Sequence, residues 1–353
     1  VMSSALRALL VAVLTTDADG FAQVGPELEV FDYTYQGLRI VGSKPAGVTA
    51  PAVIFLPYAL VSVDVSLLLL KPAMEKVAQM GYTAALVEYP DIMVYPDAAG
   101  ALFYPPFMDP PDKEKGDAAI CTEWARRASL TADAIKNELC TKQGVDCSSI
   151  AVAGFSTGAG IATMLSTGSP PLRALKYSSE LNIKAQFTLA WAPLLGAGQL
   201  GALLPQNYLP DCFVSQNPNE LMRLLYGNPV MYLNLFLQPS KRFSVISQQD
   251  ELFGNPLPGT DSASIFTLQQ TYSGFCEGDG GKGDCIQPDG SGYYVVPTGE
   301  IAQVPSLAPP PTLQSYHSSI STNPTQGFFA EGGTEIWQYE AAFNWLLATA
   351  FGA

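Results

Sequence analysis

A serine flanked by two glycines is the residue pattern that points most directly to chemistry in this chain: Gly154-Phe155-Ser156-Thr157-Gly158 reads G-x-S-x-G. An apolar, β-branched segment (150–153) precedes it, and a helical segment begins at Ala159. A sharp turn between a strand and a helix strains the serine backbone, requires small flanking residues and lifts the hydroxyl above the sheet. We therefore predict that Ser156 is a nucleophile; the alternative is an ordinary glycine-rich strand–helix turn.

His317 is the single histidine of the chain and the candidate base for this serine. A serine hydroxyl needs a base to accept its proton, and the base needs an acid to orient it. Where the nucleophile stands on such a strand–helix turn, the acid and then the histidine follow it along the chain. His317 meets this order and lies in a predicted loop before the final helix, so we assign it the role of general base.

The acid is expected at the end of a strand between the nucleophile and the base. Residues 243–247 (FSVIS) predict such a strand, and Gln248-Gln249-Asp250 follows it. Asp250 is therefore the predicted acid. Glu251 and Asp261 are alternative acids, and a cap of the following turn is the competing interpretation of Asp250.

A further requirement is a pair of backbone N–H groups that stabilise the negative oxygen of a tetrahedral intermediate. One is expected from Thr157, which follows the nucleophile, and the other from the loop after an early buried strand. That strand ends at Leu56, and Pro57 after it has no N–H to donate. The second donor is therefore predicted to be Tyr58 or Ala59.

These residues need a scaffold, and strand-like and helix-like segments alternate along the chain, as in an α/β sheet. Continuous apolar runs such as 52–56 (AVIFL) are typical of strands that are buried on both faces. The fold class predicted is α/β, with a mostly parallel central sheet flanked by helices. The predicted strands are 30–35, 38–41, 52–56, 83–87, 150–153, 185–190 and 243–247, and the predicted helices are 67–80, 129–139, 159–166 and 336–350.

Two long insertions interrupt this alternation: residues 91–118, rich in proline and aromatic residues, and residues 254–314, with a Gly-Asp-rich turn. Loops longer than about 15 residues in a compact domain are usually lids, binding walls or disordered segments. Aromatic content favours a lid or substrate wall, and the predicted substrate-binding residues are Phe155, Tyr95, Phe103, Tyr104 and Phe107. Residues 28–353 are predicted to form one domain, preceded by an N-terminal helix or signal-peptide-like segment over 1–27.

Composition excludes several classes of function. The chain has 353 residues, 18 Lys and Arg against 32 Asp and Glu, and a formal net charge of −14. Because an acidic chain without basic runs cannot neutralise phosphates, no nucleic-acid partner is predicted. A single histidine excludes a zinc site built from two or three imidazoles. The apolar clusters are too short to span a bilayer, so no transmembrane helix is predicted.

The six cysteines, at 121, 140, 147, 212, 276 and 285, form no C-x-x-C pair, which argues against a zinc ribbon or a thioredoxin-type site. We predict the bridges Cys140–Cys147 and Cys276–Cys285, which are close in sequence, with Cys121–Cys212 as a third. Buried free thiols are the alternative. An even cysteine count with abundant Pro and Gly favours an oxidising location, secreted or organellar.

With these residues assembled, the chain resembles the α/β-hydrolase superfamily over about residues 28–353. The order of strand 51–56, a helix, Gly81-Tyr82, a strand leading to Glu88-Tyr89-Pro90 and the G-x-S-x-G turn resembles the dienelactone hydrolase, polyester hydrolase (cutinase-like) and chlorophyllase branch. The resemblance implies a serine carboxyl-ester hydrolase without metal or organic cofactor. The roles that it implies are nucleophile for Ser156, acid for Asp250, base for His317, and oxyanion hole for Tyr58 with Thr157.

A weaker resemblance to chlorophyllases rests on Asn255-Pro256-Leu257 and the Gly-rich, cysteine-containing insert that follows. The chain also departs from these families. Phe155 stands where they commonly have histidine, Gly158-Ala159-Gly160 replaces two adjacent glycines, and Pro57-Tyr58 replaces a His-Gly or Pro-Gly pair. The fold and the triad survive these departures, whereas the choice of subfamily does not.

The function expected is hydrolysis of a hydrophobic ester, lipase-like or chlorophyllase-like, through an acyl-enzyme. Activity should fall as the pH drops through about 6.5, where an unperturbed imidazole becomes protonated. The alternative is a catalytically weak or inactive module that binds a hydrophobic ligand or serves in assembly, since fold does not fix function. A peptidase is less favoured because no large extra domain is present, and haloalkane or epoxide chemistry uses a carboxylate where Ser156 stands.

Overall fold

Nine strands form one sheet in the part of the chain that the structure describes. The structure is a computed structural model and describes residues 26–58, 63–90, 126–167, 181–189, 239–250, 285–299, 303–305, 314–322 and 340–352. The strands are β1 (Leu28–Tyr35), β2 (Leu38–Pro45), β3 (Ala50–Leu56), β4 (Thr83–Val87), β5 (Val145–Phe155), β6 (Ile183–Leu189), β7 (Arg242–Ser247), β8 (Cys285–Ile286) and β9 (Gly292–Val296). A separate pair consists of β10 (Val304–Pro305) and β11 (Gln314–Ser315).

The strand order across the sheet is β1-β2-β4-β3-β5-β6-β7-β9-β8. The strands from β4 through β3, β5, β6 and β7 to β9 run parallel, and β1, β2 and β8 pair antiparallel with their neighbours. A two-residue turn at Gln36 (φ 49°) and Gly37 (φ 84°) joins β1 to β2, and positive φ at both positions suits a tight hairpin. The predicted α/β class with a mostly parallel sheet is confirmed.

Helices cover both faces of this sheet. They are α1 (Val63–Gln79), α2 (residues 126–137), α3 (Thr157–Thr167), α4 (Tyr316–Thr322) and α5 (Glu340–Phe351). Side chains of α1 and α5 share one buried cluster with β3, and side chains of α2 and α3 share the other. Two apolar layers therefore enclose the sheet, as continuous apolar strand sequences require.

Strand β3 shows how alternation divides the core between the two faces. Val53 and Phe55 belong to the α1/α5 side, while Ile54 and Leu56 belong to the opposite side. Phe343 of α5 stacks on Phe55, with ring centroids 5.8 Å apart. Burying one such side chain contributes about 1.5–3 kcal/mol, so these layers hold the carboxyl ends of the parallel strands in place.

The predicted elements agree with the structure within a few residues, apart from the differences that follow. Strand β5 begins at Val145, earlier than predicted, and residues 336–339 of the predicted final helix lie outside the described residues. Strands β8 and β9 lie inside the segment 254–314, which was predicted to be an insertion. The other predicted insertion, 91–118, and nearly all of the N-terminal segment 1–27 lie outside the described residues.

One predicted disulfide, Cys140–Cys147, is confirmed, with Cα atoms 5.7 Å apart. Cys285 is also disulfide-bonded, but its predicted partner Cys276 lies outside the described residues, as do Cys121 and Cys212. Among the helices described, none combines the length and the apolar character needed to cross a membrane.

Candidate active site

The strand–helix turn at Ser156 has the strained geometry that its sequence predicts. Strand β5 ends at Phe155 and α3 begins at Thr157, and Ser156 between them has a φ of 51°. A non-glycine residue in this left-handed region costs roughly 1–2 kcal/mol. Backbone bonds hold it there: the Ser156 N–H donates to the Leu189 carbonyl (2.9 Å), and its carbonyl accepts the Ala159 N–H (2.9 Å).

Both glycines of the motif are required by close backbone contacts. A Cβ at Gly154 would lie 2.5 Å from the Cα of Ala159, and one at Gly158 would lie 2.3 Å from the carbonyl oxygens of both Leu56 and Pro57. Real Cβ atoms do not approach this closely, so any larger residue would push the turn away. The second contact also shows that the start of α3 lies directly against the end of β3.

His317 connects the serine to Asp250 through two short hydrogen bonds. The distance from His317 Nε2 to Ser156 Oγ is 2.8 Å, and that from His317 Nδ1 to Asp250 Oδ2 is 2.7 Å. Because a carboxylate oxygen only accepts, the hydrogen lies on Nδ1, and Nε2 accepts the serine hydroxyl proton. The three side chains are buried, with exposures of 7% for Ser156, 4% for His317 and 1% for Asp250.

Asp250 stands on a tight turn at the end of β7, where the sequence placed it. Its N–H donates to the Ser247 carbonyl (3.3 Å), which closes the turn. The Gln248 N–H donates to the Val296 carbonyl of β9 (2.9 Å), and its side-chain oxygen accepts the N–H (3.1 Å) and the hydroxyl (3.2 Å) of Thr298. The neighbouring parallel strand therefore fixes the turn that carries the acid.

His317 lies in the first turn of α4 and not in the loop that was predicted. The Ser247 hydroxyl donates to the carbonyl of Tyr316 (3.0 Å), the residue before the histidine. One buried serine therefore ties the strand that carries the acid to the helix that carries the base. No local pattern predicts this contact, because it joins residues 69 positions apart.

The predicted oxyanion residues lie on the two sides of the contact between β3 and α3. Thr157 is the first residue of α3, where backbone N–H groups have no carbonyl partner within the helix. Tyr58 follows the end of β3, and its ring lies 5.7 Å from that of Phe155. The carbonyl of Pro57, before Tyr58, accepts the hydroxyl of Tyr89 (3.0 Å). Ala59, the alternative donor, lies outside the described residues.

The structure gives Phe155 a different position from the one predicted. Its side chain is 0% exposed and lies in the core between Phe55 and Tyr58, so it packs beneath the turn and does not face a substrate. The other predicted substrate-binding residues, Tyr95, Phe103, Tyr104 and Phe107, lie outside the described residues. So do the competing acids Glu251 and Asp261.

Chemically, the arrangement is a hydroxyl that can be deprotonated as it attacks an electrophilic carbon. The base is in hydrogen-bond contact with the hydroxyl, and the carboxylate orients the base and stabilises its protonated form. Within the described ranges, no three His, Cys, Asp or Glu side chains cluster in a way that would hold a metal ion.

Comparison with known proteins gives matches among solved structures alone. No protein-family model matches the chain, and no curated protein matches it. A protein described as a candidate carboxylesterase from Lactobacillus plantarum aligns at 14% identity and a TM-score of 0.43, over 92% of this chain and 98% of the other. Inhibited esterase B from Lactobacillus rhamnosis aligns at 11% identity and a TM-score of 0.39, over 84% and 83%.

Thermogutta terrifontis esterase 2, phosphonylated by cyclosarin, aligns at 16% identity and a TM-score of 0.40, over 78% of this chain and 82% of the other. At such identities and TM-scores these are similarities only. The assignment of the fold rests on this chain's own strand order, its strand–helix turn and the sequence order of Ser156, Asp250 and His317.

Proposed function

We propose that this chain, which has the α/β-hydrolase fold, is a serine carboxylic-ester hydrolase that acts through an acyl-enzyme intermediate. The observation that supports the proposal most directly is the hydrogen-bonded series Asp250–His317–Ser156, with distances of 2.7 and 2.8 Å. Burying a carboxylate, an imidazole and a hydroxyl is costly, and apolar residues would pack the same space at lower cost. Such a buried polar series on a strained turn is therefore characteristic of a reactive centre.

In the proposed reaction, Ser156 Oγ forms a bond to the ester carbonyl carbon while its proton moves to His317 Nε2. The carbonyl oxygen becomes negative and is stabilised by the backbone N–H groups of Tyr58 and Thr157. The protonated His317 then gives its proton to the leaving alcohol as the C–O bond breaks, which leaves an acyl group on Ser156. Asp250 keeps the hydrogen on Nδ1 and stabilises the imidazolium.

Water completes the cycle by the same route in reverse. It attacks the acyl carbon while His317 accepts one of its protons, and collapse of the tetrahedral intermediate releases a carboxylic acid. The proton on His317 returns to Ser156 Oγ, so the enzyme is restored and one ester and one water have become one acid and one alcohol.

The proposed substrate is a hydrophobic ester, of a kind that lipases, cutinases or chlorophyllases hydrolyse. The support is the aromatic content of residues 91–118, because apolar ligands are held by walls rich in aromatic side chains. The disulfide Cys140–Cys147 supports an oxidising location, secreted or organellar.

Labelling with a fluorophosphonate probe, followed by peptide mapping, tests the nucleophile. We expect stoichiometric modification of Ser156 in the wild type and none in Ser156→Ala. Ser149→Ala is the matched control, because Ser149 lies on the same strand, seven residues before the nucleophile, and its hydroxyl donates to the Ala350 carbonyl. Labelling should be unchanged in this control. Absence of labelling in folded wild-type protein at pH 8 would favour the alternative, a module that binds a hydrophobic ligand without turnover.

A series of p-nitrophenyl esters from acetyl to dodecanoyl tests the substrate class. We expect kcat/KM to rise with acyl length over the first members, because each buried CH₂ contributes about 0.8 kcal/mol. A preference for acetyl over all longer esters would contradict a hydrophobic acyl site while leaving the esterase proposal intact.

Asp250→Asn should lower kcat on the order of 10⁴-fold, since it removes the carboxylate that orients His317.

A further inference from the structure

The peptide group between Pro57 and Tyr58 is held from two sides. The buried hydroxyl of Tyr89 donates to the Pro57 carbonyl at 3.0 Å. On another side, Gly158 approaches so closely that a Cβ there would lie 2.3 Å from the same oxygen. Tyr89 follows β4, and Gly158 belongs to the first turn of α3, so two separate elements converge on one carbonyl.

Holding this carbonyl also sets the direction of a neighbouring donor. The C=O of Pro57 and the N–H of Tyr58 belong to one planar peptide unit, in which they point in opposite directions. The ring of Pro57 fixes its φ, so the unit can rotate only through the ψ of Pro57 and the φ of Tyr58. A hydrogen bond that fixes the carbonyl therefore aims the Tyr58 N–H as well.

Tyr89 is suited to hold this bond over the whole accessible pH range. Its side chain is 0% exposed, and burial raises the pKa of its phenol well above the ordinary value, against a smaller opposing effect of the Arg127 charge. The hydroxyl therefore stays protonated and remains a donor. The position of Tyr89 is anchored through its neighbour, since the Glu88 N–H donates to the Arg39 carbonyl (2.9 Å) of β2.

We infer that Tyr89 is a positioning residue for the oxyanion hole: its hydroxyl holds the Pro57 carbonyl so that the Tyr58 N–H points at the oxygen on which negative charge develops. The inference rests on the proposed function and extends it to a residue that does not touch substrate. Hydrogen bonding to the carbonyl also polarises the peptide, which strengthens the N–H as a donor.

The experiment compares wild type with Tyr89→Phe, which removes only the hydroxyl. An ester and the matching thionoester, in which sulfur replaces the carbonyl oxygen, are used as substrates. Sulfur accepts hydrogen bonds poorly, so the ratio of kcat/KM for the ester to that for the thionoester reports how well the N–H donors are aimed. Loss of one oxyanion donor lowers kcat about 10²–10³-fold, and a misdirected donor should cost less, about 10-fold.

We expect Tyr89→Phe to lower kcat for the ester about 10-fold with little change in KM, and to lower the ester/thionoester ratio in parallel. The pH profile of kcat/KM should keep its shape, because Ser156, His317 and Asp250 are untouched. Tyr82→Phe is the matched control: Tyr82 is largely buried and stacks on Phe351 (4.9 Å), away from the Pro57 peptide. Its ratio should equal that of the wild type.

A second variant separates positioning from a general packing effect. Incorporation of 4-aminophenylalanine at position 89 keeps a donor in place of the hydroxyl, so most of the ester/thionoester ratio should return. If Tyr89→Phe does not fold, the variant with 4-aminophenylalanine at position 89 is compared with one that carries 4-methylphenylalanine there, which has no donor. The ester/thionoester ratio should then be higher for the 4-aminophenylalanine variant.

The outcomes distinguish the inference from the proposed function. If wild-type protein hydrolyses no ester, the proposed function fails. If it hydrolyses the ester but Tyr89→Phe has an unchanged ratio and an unchanged kcat, the proposed function stands and the positioning role of Tyr89 is wrong. A fall in kcat with an unchanged ratio would equally overturn the inference, because the loss would then not arise in the oxyanion hole.

Discussion

Ser156 occupies a backbone conformation that its own side chain disfavours. Its φ of 51° is one of two positive values at non-glycine residues in the described part of the chain, the other being Gln36 in the β1–β2 hairpin. Surrounding contacts hold the serine there, with β6 bonded to its N–H and the first turn of α3 bonded to its carbonyl. The strained turn presents the hydroxyl to His317 at the end of β5, so at this residue stability is exchanged for reactivity.

A comparison of Ser156→Gly with Ser156→Ala measures this strain. Both variants lose the hydroxyl and its bond to His317, so their difference reports the backbone alone. Relief of roughly 1–2 kcal/mol of strain in the glycine variant is partly offset by about 0.5–1 kcal/mol from the greater freedom of glycine in the unfolded chain. We expect Ser156→Gly to be the more stable by up to about 1.5 kcal/mol in denaturant unfolding. A more stable alanine variant would contradict a strained turn.

At the scale of elements, the acid lies on the turn after β7 and the base lies in α4, and a hydrogen bond joins these two elements. The turn carrying Asp250 is bonded to β9 through Gln248, and the first turn of α4, carrying His317, is bonded to the end of β7 through Ser247. Short polar contacts of this kind hold reacting groups within a few tenths of an ångström of productive geometry.

Ser247→Ala tests the connection between β7 and α4. Loss of this buried bond should cost about 0.5–1.5 kcal/mol of stability and lower kcat several-fold with KM nearly unchanged, because His317 becomes less firmly placed. Ser244→Ala is the matched control: its hydroxyl lies on the same strand but bonds the hydroxyl of Thr188 in β6 (2.7 Å). The free energy of unfolding, kcat and KM are measured for both variants. Equal losses of kcat in the two would contradict a positioning role for Ser247.

At the scale of the whole molecule, the described part of this acidic protein includes a carboxylate, Glu88, whose charged form is disfavoured by burial. Burial raises the pKa of Glu88, while the Arg39 N–H, which donates to Glu88 Oε2 (2.9 Å), opposes the shift. Arg39 is itself bonded to Asp32 (2.7 Å) and Asp64 (2.6 Å). These partly exposed ion pairs of Arg39 add little stability. The cost of burying the Glu88 carboxylate is therefore a larger effect on stability than the ion pairs.

The consequence is a pH-dependent loss of stability. A carboxyl whose pKa is higher in the folded than in the unfolded state contributes stability below the unfolded pKa, and this contribution is lost as the pH rises through the folded pKa. Glu88→Gln keeps an oxygen acceptor for Arg39 and removes the charge. We expect it to have a higher Tm than wild type at pH 7, with the difference shrinking as the pH falls towards 4.

The sequence predicts local patterns well and distant contacts poorly. The motif around Ser156, the single His317 and the strand before Asp250 identified three side chains that the structure brings together. Strand β9 (GYYVV) was missed because its surroundings are rich in Gly, Asp and Pro, which mask a short parallel strand. The pairing of Tyr89 with Pro57 spans 32 residues and has no local signature.

The burial of Phe155 follows from a local pattern in the sequence. Ala151, Ala153 and Phe155 alternate along β5 and belong to the same buried cluster. Period-two alternation therefore predicts that Phe155 points into the core, whatever its place in the motif. A strand residue next to a nucleophile therefore points to the face that the alternation of the strand dictates. Only residues beyond the end of the strand can turn towards a ligand.

The spacing of the reacting groups also has a consequence for synthesis on the ribosome. Ser156 precedes His317 by 161 positions, and Asp250 precedes it by 67. Helix α5, which packs against the middle of the sheet, is made later still. A nascent chain therefore carries its nucleophile without a base to activate it until 161 more residues have been added. On the proposed function, the growing polypeptide becomes able to hydrolyse esters only after synthesis has passed the histidine, and translation products that stop before it are inactive.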